Sequence, residues 1–371
     1  MALSRLGNFI ELVDIRNKNG FYKEKDVRGI STTKIFIKTK ANLNNVNLLG
    51  YKIVQKNRFA YVADTSRRGE KIAIAYSENH SYIISSIYTT FKVKDESKLL
   101  PRYLMMFFNR PEFDRYARFN SWGSARETFS WDDFCNIELN IPSIEIQKKY
   151  VAIYEAMLDN LKAYNKGLND LKLVCDGYIE KLKAAYNPQK IGDFLTAVSE
   201  KNISNLDFSI AGISKEQKLI PSISKTKGVD KSKYYIVRPG YFAFSPIHIN
   251  DGSIALNDSS ISYLISPIYK TFKICEPSKL DPIYLSIWFS RTEFIRYCWF
   301  NAFGSARDTF EWKDLCNIQI PIPPIEIQKS ISLLYILLKQ RKSFIEIVDK
   351  KTASICPILI RGSILESQGE K

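Results

Sequence analysis

The stretch Gly123-Ser124-Ala125-Arg126-Glu127-Thr128-Phe129 returns 181 residues later as Gly304-Ser305-Ala306-Arg307-Asp308-Thr309-Phe310. The same offset carries Ile144-Glu145-Ile146-Gln147-Lys148 onto Ile325-Glu326-Ile327-Gln328-Lys329. An ungapped comparison of residues 88–148 with residues 269–329 gives 36 identities in 61 positions. Chance does not produce this agreement, so the chain contains an internal duplication.

The agreement between the two halves decays upstream of this stretch. Leu6-Gly7-Asn8-Phe9 still corresponds loosely to Ile191-Gly192-Asp193-Phe194, but residues 30–87 and 213–268 have little in common. Each half therefore has a variable front and a nearly constant back. This layout is expected when a shared scaffold carries two surfaces that bind different versions of one kind of target.

Short strands and helices are predicted within each half. The fronts alternate apolar and polar residues between turn signals, which is typical of strands. Residues 101–108 and their copy 282–289 are predicted to be buried helices. Each half is therefore predicted to be a mixed, mostly β domain. The strands are predicted at 51–54, 59–62, 71–75, 234–237 and 241–244, with turns at 66–70 and 250–252.

Two long helices are predicted, over residues 143–185 and from 324 to near 365. Apolar residues recur at steps of three and four, which indicates a heptad seam in each helix. Pro357 is expected to kink or break the second helix near Cys356. The predicted seam residues are Val151, Tyr154, Leu158, Leu161, Leu168, Cys175, Ile179 and Leu182, and then Ile331, Leu334, Leu338, Ile345, Val348, Ile355 and Leu359.

The predicted fold class is α+β, and it is pseudo-two-fold because of the duplication. Two mixed, mostly β domains, residues 1–142 and 188–323, are separated by two long antiparallel helices, residues 143–187 and 324–371. Two seams of similar length are expected to bury each other as a coiled coil, which would form a rigid spacer. A helix of forty residues is about 60 Å long.

The composition narrows the choice of partners and chemistry. A net charge of +15 and a pI near 9.3 favour a polyanion, nucleic acid before a membrane surface. No run of 18 apolar residues occurs, so no transmembrane helix is predicted. Six scattered cysteines without a CxxC pair are expected to be reduced, in the cytoplasm, with no metal site. Two histidines argue against a histidine base or a multi-histidine metal centre.

Two variable domains, two similar long helices, and a Gly-Ser-x-Arg loop followed by Ile-Pro-x-Ile-Glu-x-Gln-Lys resemble the specificity subunits of Type I restriction–modification enzymes. The resemblance implies that each domain is a target recognition domain, which reads one half of a split site in double-stranded DNA. It implies that the helices set the half-site spacing and bind two modification subunits, with restriction subunits completing the complex. S-adenosylmethionine, ATP and Mg²⁺ are then expected on those partners and not on this chain.

Residues that read bases are expected in the variable fronts, because the two halves differ there. Arginine pairs efficiently with guanine, and asparagine or glutamine with adenine. The candidates in the first half are Arg67, Arg68 and Lys71, with Lys34 the weaker one; those in the second half are His248, Asn250 and Asp251, with Lys215, Gln217, Lys225 and Lys227 nearby. The alternative for each is an ordinary solvated loop.

Arg126 and Arg307 lie in the constant loop, so they cannot explain different half-sites. They are candidates for phosphate contacts, which position a protein on DNA without specifying sequence. The competing interpretation is structural, with the glycine forming a tight turn and the arginine stacking near Trp131 or Trp312.

Signals for catalysis are weak. Asp281-Pro282-Ile283-Tyr284 partly resembles a methyltransferase motif, but its copy Leu100-Pro101-Arg102-Tyr103 lacks the acid, which favours a helix start. No GxxxxGK[ST] loop occurs. The sequence therefore predicts a non-catalytic chain without catalytic or metal-binding residues. Three alternatives stay open: a DNA-modifying enzyme with an unrecognised site, a scaffold that binds only proteins, and the specificity subunit of a related Type II-like system.

Overall fold

The structure is a computed structural model that describes residues 3–65, 71–124, 126–222, 228–304 and 308–369. The chain divides into two compact units. Unit 1 comprises Met1–Tyr164 and Ile345–Lys371, and unit 2 comprises Asn165–Phe344.

The first segment of unit 1, up to Tyr164, contains ten strands and four α-helices among its described residues. They are β1 (Ser4–Arg5), β2 (Ile10–Leu12), β3 (Arg28–Ile30), β4 (Phe36–Lys38), β5 (Lys52–Val54), β6 (Arg58–Val62), β7 (Ile74–Ser77), β8 (Tyr82–Ile84), β9 (Tyr88–Val93), α1 (Pro101–Phe108), α2 (Pro111–Phe119), α3 (Trp131–Cys135), β10 (Glu138–Leu139) and the start of α4 (Ile144–Ala185). The unit is built around a four-stranded antiparallel sheet with the order β2-β9-β6-β7, and shorter pairs form between β1 and β10, β3 and β4, and β5 and β8.

The central strand β6 divides the core of unit 1. Because side chains alternate across a strand, Phe59 and Tyr61 face one side and Ala60 and Val62 the other. The first pair belongs to the larger core with α1 and α3, and the second to a smaller cluster beneath the front. Strand β6 is thus buried on both faces, and it joins the constant back of the unit to its variable front.

Unit 2 repeats this plan. Its elements are β11 (Pro188–Lys190), β12 (Leu195–Val198), β13 (Ser209–Ile213), β14 (Leu219–Pro221), β15 (Tyr235–Val237), β16 (Phe242–Phe244), β17 (Ile254–Leu256), β18 (Tyr263–Ile265), β19 (Lys270–Ile274), α5 (Pro282–Phe289), α6 (Thr292–Phe300), α7 (Trp312–Cys316), β20 (Gln319–Pro321) and the start of α8 (Ile325–Ala353). The main sheet has the order β12-β19-β16-β17, and the front forms a second sheet with the order β14-β13-β18-β15.

The long helices agree with the sequence prediction. Helix α4 is continuous over 42 residues, and α8 ends at Ala353 before the last helix, α9 (Cys356–Gly369). The break lies at the predicted place. Its physical cause is Pro357, which has no N–H to continue the backbone hydrogen bonds of α8. The predicted seam residues are all buried or half-buried along these helices. The mixed α+β fold with two long helices is therefore confirmed.

The helices run antiparallel within each unit. In unit 1, Lys149 of α4 forms an ion pair with Glu366 of α9, with 2.7 Å between Nζ and Oε1. One turn further along α4, Tyr154 hydrogen-bonds Cys356 at the opposite end of α9. In unit 2, a Cβ placed on Gly167 would lie 3.2 Å from Nη1 of Arg341, so the Arg341 side chain of α8 lies against α4 there.

A buried glutamine fixes the start of each long helix. The Gln147 side chain accepts a hydrogen bond from Leu100 N at 2.9 Å and donates to the carbonyls of Lys98 and Pro142, both at 2.9 Å. Its copy Gln328 makes the same three bonds in unit 2. Both glutamines are fully buried. The repeated Ile-Glu-x-Gln-Lys stretch therefore ties a long helix to the helix of its own unit that follows the sheet.

Candidate nucleic-acid interface

Of the main candidates for base contacts in the first half, Lys71 lies within the described residues. It is exposed, and it is followed directly by Ile72, which is buried. Arg67 and Arg68 lie outside the described residues. The position of Lys71 leaves its side chain accessible, as a contact with DNA requires.

Lys34 lies inside unit 1, at the turn between β3 and β4. Its side chain is 6% exposed, and its Nζ lies 2.9 Å from Oδ1 of Asp114 in α2. The same ammonium donates a hydrogen bond to the carbonyl of Phe108, at the end of α1. Burial lowers the pKa of Lys34, and the hydrogen bond to Asp114 opposes that shift. These internal partners argue against the prediction that Lys34 contacts DNA.

Asp114 also connects this turn to the predicted reading loop. Its Oδ1 accepts a hydrogen bond from the backbone N of Ile72 at 3.2 Å, next to Lys71. One buried carboxylate therefore binds both the Lys34 ammonium and the backbone N of Ile72, the residue after Lys71. Asp114 is not predictable from the repeat, because its copy in the second half is Ile295 and gives no sign of a polar role.

The second group of predicted base contacts lies on one short turn of unit 2. A 3-10 turn covers Ile249–Asp251, and Gly252 follows in the left-handed conformation, with φ 89°. Ile249 is buried and holds the turn in the core. His248 and Asp251 are exposed, with 3.9 Å between Nδ1 and Oδ2, and Asn250 is half-buried. The structure therefore brings His248, Asn250 and Asp251 together, at the place where the sequence predicts a turn.

The remaining candidates of this group are divided between exposed and internal positions. Lys215 is exposed. Gln217 points inward, because its Nε2 donates to the carbonyl of Phe289 at 2.8 Å. This bond favours an internal role for Gln217 over the predicted contact with DNA. Lys225 and Lys227 lie outside the described residues.

The constant Gly-Ser-Ala-Arg loop of unit 1 forms a tight hairpin. Trp122 and Thr128 pair at its base, and Gly123 has φ 144°. A Cβ at Gly123 would lie 2.1 Å from the carbonyl oxygen of Arg126, so only glycine fits there. Arg126 is exposed, as a phosphate contact requires. Its copy Arg307 lies outside the described residues.

Exposed aromatic side chains flank this loop in both units. Phe119 and Trp122 are 78% and 66% exposed, and their copies Phe300 and Phe303 are 79% and 70% exposed. These four residues are not among the candidates predicted from the sequence. The sequence contains a signal for them, because aromatic residues recur here at offset 181. Helix α2 buries Phe113 and Ala117 on its other face, which leaves Phe119 for the solvent side.

Three observations bear on catalysis, on metal binding and on a membrane. Asp281 caps α5, since its Oδ1 accepts a hydrogen bond from Tyr284 N at 2.8 Å, which confirms that the Asp-Pro-Ile-Tyr stretch is a helix start. Among the described residues, no three His, Cys, Asp or Glu side chains are grouped to hold a metal ion. Within the same residues, no helix is both long enough and apolar enough to span a membrane.

Comparison with known proteins gives a family. The sequence profile described as "Type I restriction modification DNA specificity domain" matches residues 3–172. Among curated protein sequences, none gives a significant match. Solved structures share the fold along nearly the whole chain.

The S subunit of the Type I restriction–modification system from M. genitalium superposes with a TM-score of 0.58 at 10% sequence identity, covering 99% of this chain and 95% of that one. A chain from a structure that describes complex assembly and conformational transition of the type I R-M system gives a TM-score of 0.50 at 14% identity, covering 99% and 97%. At these identities the similarity establishes a shared fold.

The fold and the family match define a DNA sequence-recognition protein. More narrowly, residues 3–172 belong to the Type I restriction–modification DNA specificity domain family, and the chain has the fold of a specificity subunit. The resemblance predicted from the sequence is thereby confirmed, together with the predicted role in recognising DNA sequence.

Proposed function

We propose that each unit reads one half of a bipartite DNA site and that the two long helices set the distance between the halves. One observation carries this proposal. The two units have the same strand order in the main sheet, an equivalent helix after it (α1 or α5) and an equivalent buried glutamine. They differ in the residues that their fronts expose. A common frame with different exposed loops is suited to reading two sequences of one kind of molecule.

Charge and exposure support the choice of loops. The net charge of +15 suits a phosphate backbone, which supplies most of the non-specific affinity for DNA. Lys71 of unit 1 and the His248–Asp251 turn of unit 2 expose donors and acceptors of the types that recognise base edges. Arg126 would hold a phosphate, because an identical residue occurs in both halves and cannot distinguish their sequences.

Mutation of the first loop tests this assignment. The full chain, purified with the partner subunits that accompany it, would be equilibrated with a randomised pool of duplex DNA, and the bound fraction sequenced. We expect two short motifs at a fixed gap. Arg67→Ala with Arg68→Ala should relax one motif and leave the other intact. Equal loss in both motifs would contradict the assignment of this loop to one half-site.

The chemistry of modification and restriction is proposed to belong to partners, with this chain non-catalytic. Two modification subunits would bring S-adenosylmethionine, and restriction subunits would bring ATP and Mg²⁺. The long helices offer apolar side chains away from the seam for docking such partners, among them Leu173, Tyr178, Leu333 and Leu337, which are all exposed. We also propose a cytoplasmic location, where the DNA lies and where six free cysteines stay reduced.

A charge placed among the exposed apolar side chains of α8, at Leu333, tests the docking proposal. Leu333→Asp should reduce the amount of modification subunit that co-purifies with the chain, because the carboxylate would be buried in an apolar contact. Ser330→Asp, at a neighbouring exposed position on α8, is the matched control. Undiminished co-purification with Leu333→Asp would remove this face from the interface.

A further inference from the structure

The front of each unit contains the same five-residue hairpin turn, although the two turns share little sequence. In unit 1 the turn covers residues 31–35, between β3 and β4; in unit 2 it covers residues 214–218, between β13 and β14. Ser31 N donates to Ile35 O at 3.0 Å and Lys34 N to Ser31 O at 3.0 Å. The corresponding bonds in unit 2 are 2.9 Å and 3.0 Å long. The turns are therefore equivalent.

The fourth residue of each turn has an unusual backbone. Lys34 has φ 63° and Gln217 has φ 59°, in the left-handed region that side-chain-bearing residues seldom occupy. Neither residue is a glycine, asparagine or aspartate, the types that tolerate this region best. A left-handed conformation at a residue of this type persists only where surrounding contacts support it.

Those contacts are equivalent too. The Lys34 ammonium donates to the carbonyl of Phe108, and the Gln217 amide donates to the carbonyl of Phe289. These carbonyls belong to the last residues of α1 and α5. Each turn therefore places one inward donor against the carbonyl that ends the helix following the main sheet of its unit, α1 or α5. This contact fixes the variable front on the constant back.

We propose that Lys34 and Gln217 are positioning residues, each holding its hairpin turn against the loop that reads DNA in its unit. The inference rests on the proposed function and adds to it the residues that orient the reading loops. In unit 1 the connection passes through Asp114, which binds the Lys34 ammonium at 2.9 Å and the backbone N of Ile72 at 3.2 Å, beside Lys71.

In unit 2 the connection is direct. A Cβ placed on Gly252 would lie 3.0 Å from the carbonyl oxygen of Lys215 and 3.9 Å from Cγ of Gln217. The turn 214–218 thus packs against the residue that ends the His248–Asp251 turn. Gly252 allows this approach because it has no side chain and adopts φ 89°.

The contact between the hairpin turn and the helix end involves a charged donor in unit 1 and a neutral donor in unit 2. Lys34 is paired with Asp114, whereas Gln217 occurs with Ile295 at the position that corresponds to Asp114. A buried charge needs a counter-charge, whereas a partly buried amide needs only hydrogen-bond partners. The charged version should therefore tolerate neutralisation of both partners together better than the loss of the lysine alone.

The test repeats the selection from randomised duplex DNA with the full chain and its partner subunits. Lys34→Met removes the donor, and we expect at least a tenfold loss of preference in one half-site with the other unchanged. Gln217→Leu should relax the opposite half-site. Lys34→Gln with Asp114→Asn restores a neutral donor and keeps an acceptor for Ile72 N, so it should recover the wild-type motif. Lys38→Met, an exposed lysine in β4, is the matched control.

Each outcome decides between the proposals. Intact half-sites in Lys34→Met and Gln217→Leu would overturn the positioning role and leave the proposed function standing. The positioning role would also be overturned if the double variant selected a motif as relaxed as that of Lys34→Met. A third contrary result is equal relaxation of both half-sites together with a lower melting temperature. A wild-type chain that enriches no motif would overturn the proposed function itself, and the positioning role with it.

Discussion

The buried glutamines Gln147 and Gln328 give the repeated Ile-Glu-x-Gln-Lys stretch a physical meaning. Each side chain satisfies one backbone N–H and two backbone carbonyls that would otherwise be buried without partners. Buried polar groups without partners are costly, so the amide cannot be exchanged for an apolar group of similar size. The repeat therefore preserves this residue for packing, and the DNA-reading loops lie elsewhere.

Gln147→Ala should destabilise unit 1 strongly. Because each buried group that loses its partner costs about 1–3 kcal/mol, we expect the free energy of unfolding to fall by roughly 3 kcal/mol. Urea denaturation of the full chain, followed by intrinsic fluorescence, measures the change. Lys148→Ala, at the exposed neighbour, should have little effect. Equal stability of Gln147→Ala and Lys148→Ala would contradict the anchoring role.

The sequence could identify polar residues in the fronts but not the direction in which they point. Lys34 and Lys71 look alike as loop lysines, and yet one is buried and the other is exposed. The difference depends on Asp114, which lies 80 residues from Lys34 along the chain and has no polar counterpart in the second half. Such a pairing is created by tertiary structure, so periodicity and local composition cannot reveal it.

At the level of elements, periodicity was sufficient for the helices. The prediction of α1 and α5 coincides with Pro101–Phe108 and Pro282–Phe289, and α4 begins one residue after its predicted start. The interruption before Cys356 was also predicted, from Pro357 alone. The strands were harder, because those of the fronts are only three to five residues long, and β7 begins at Ile74, three residues later than predicted.

The long helices provide a test of the spacer proposal. Inserting one heptad into α4 near Tyr164 and another into α8 near Phe344 keeps both seams in phase. Seven residues lengthen a helix by about 10 Å, which corresponds to roughly three base pairs of DNA. We expect the gap between the two motifs to grow by this amount in the selection experiment. The control is a heptad in α4 alone, which should weaken binding because the seams no longer match. An unchanged gap would refute the spacer.

On the scale of the whole molecule, the duplication was the decisive sequence signal. It predicted the constant frame, and the two main sheets indeed have the same strand order. It could not predict that the fronts are related, since the turns 31–35 and 214–218 share only their first serine. Backbone hydrogen bonds define these turns, and many sequences satisfy them. The equivalence of the fronts is therefore visible in the structure alone.

Binding to DNA should depend steeply on salt. A protein that contacts six to ten phosphates loses about 10³–10⁵ in affinity between 50 and 200 mM salt. Arg126→Ala should lower the slope of log affinity against log salt by about one and leave the selected motif unchanged, if this arginine holds a phosphate. Fluorescence anisotropy with a labelled duplex measures the slope. An unchanged slope would favour the structural role for Arg126, and affinity independent of salt would contradict DNA binding itself.

The most direct test of two reading units in one chain is a genome-wide map of methylated bases, made in cells with and without the gene. The account predicts that a split motif, with two specified halves around an unspecified gap, loses its methylation when the gene is deleted. It also predicts that replacing residues 199–268 with the front of another such chain changes one half and spares the other. An unchanged methylation map, or loss of a single continuous motif, would contradict it.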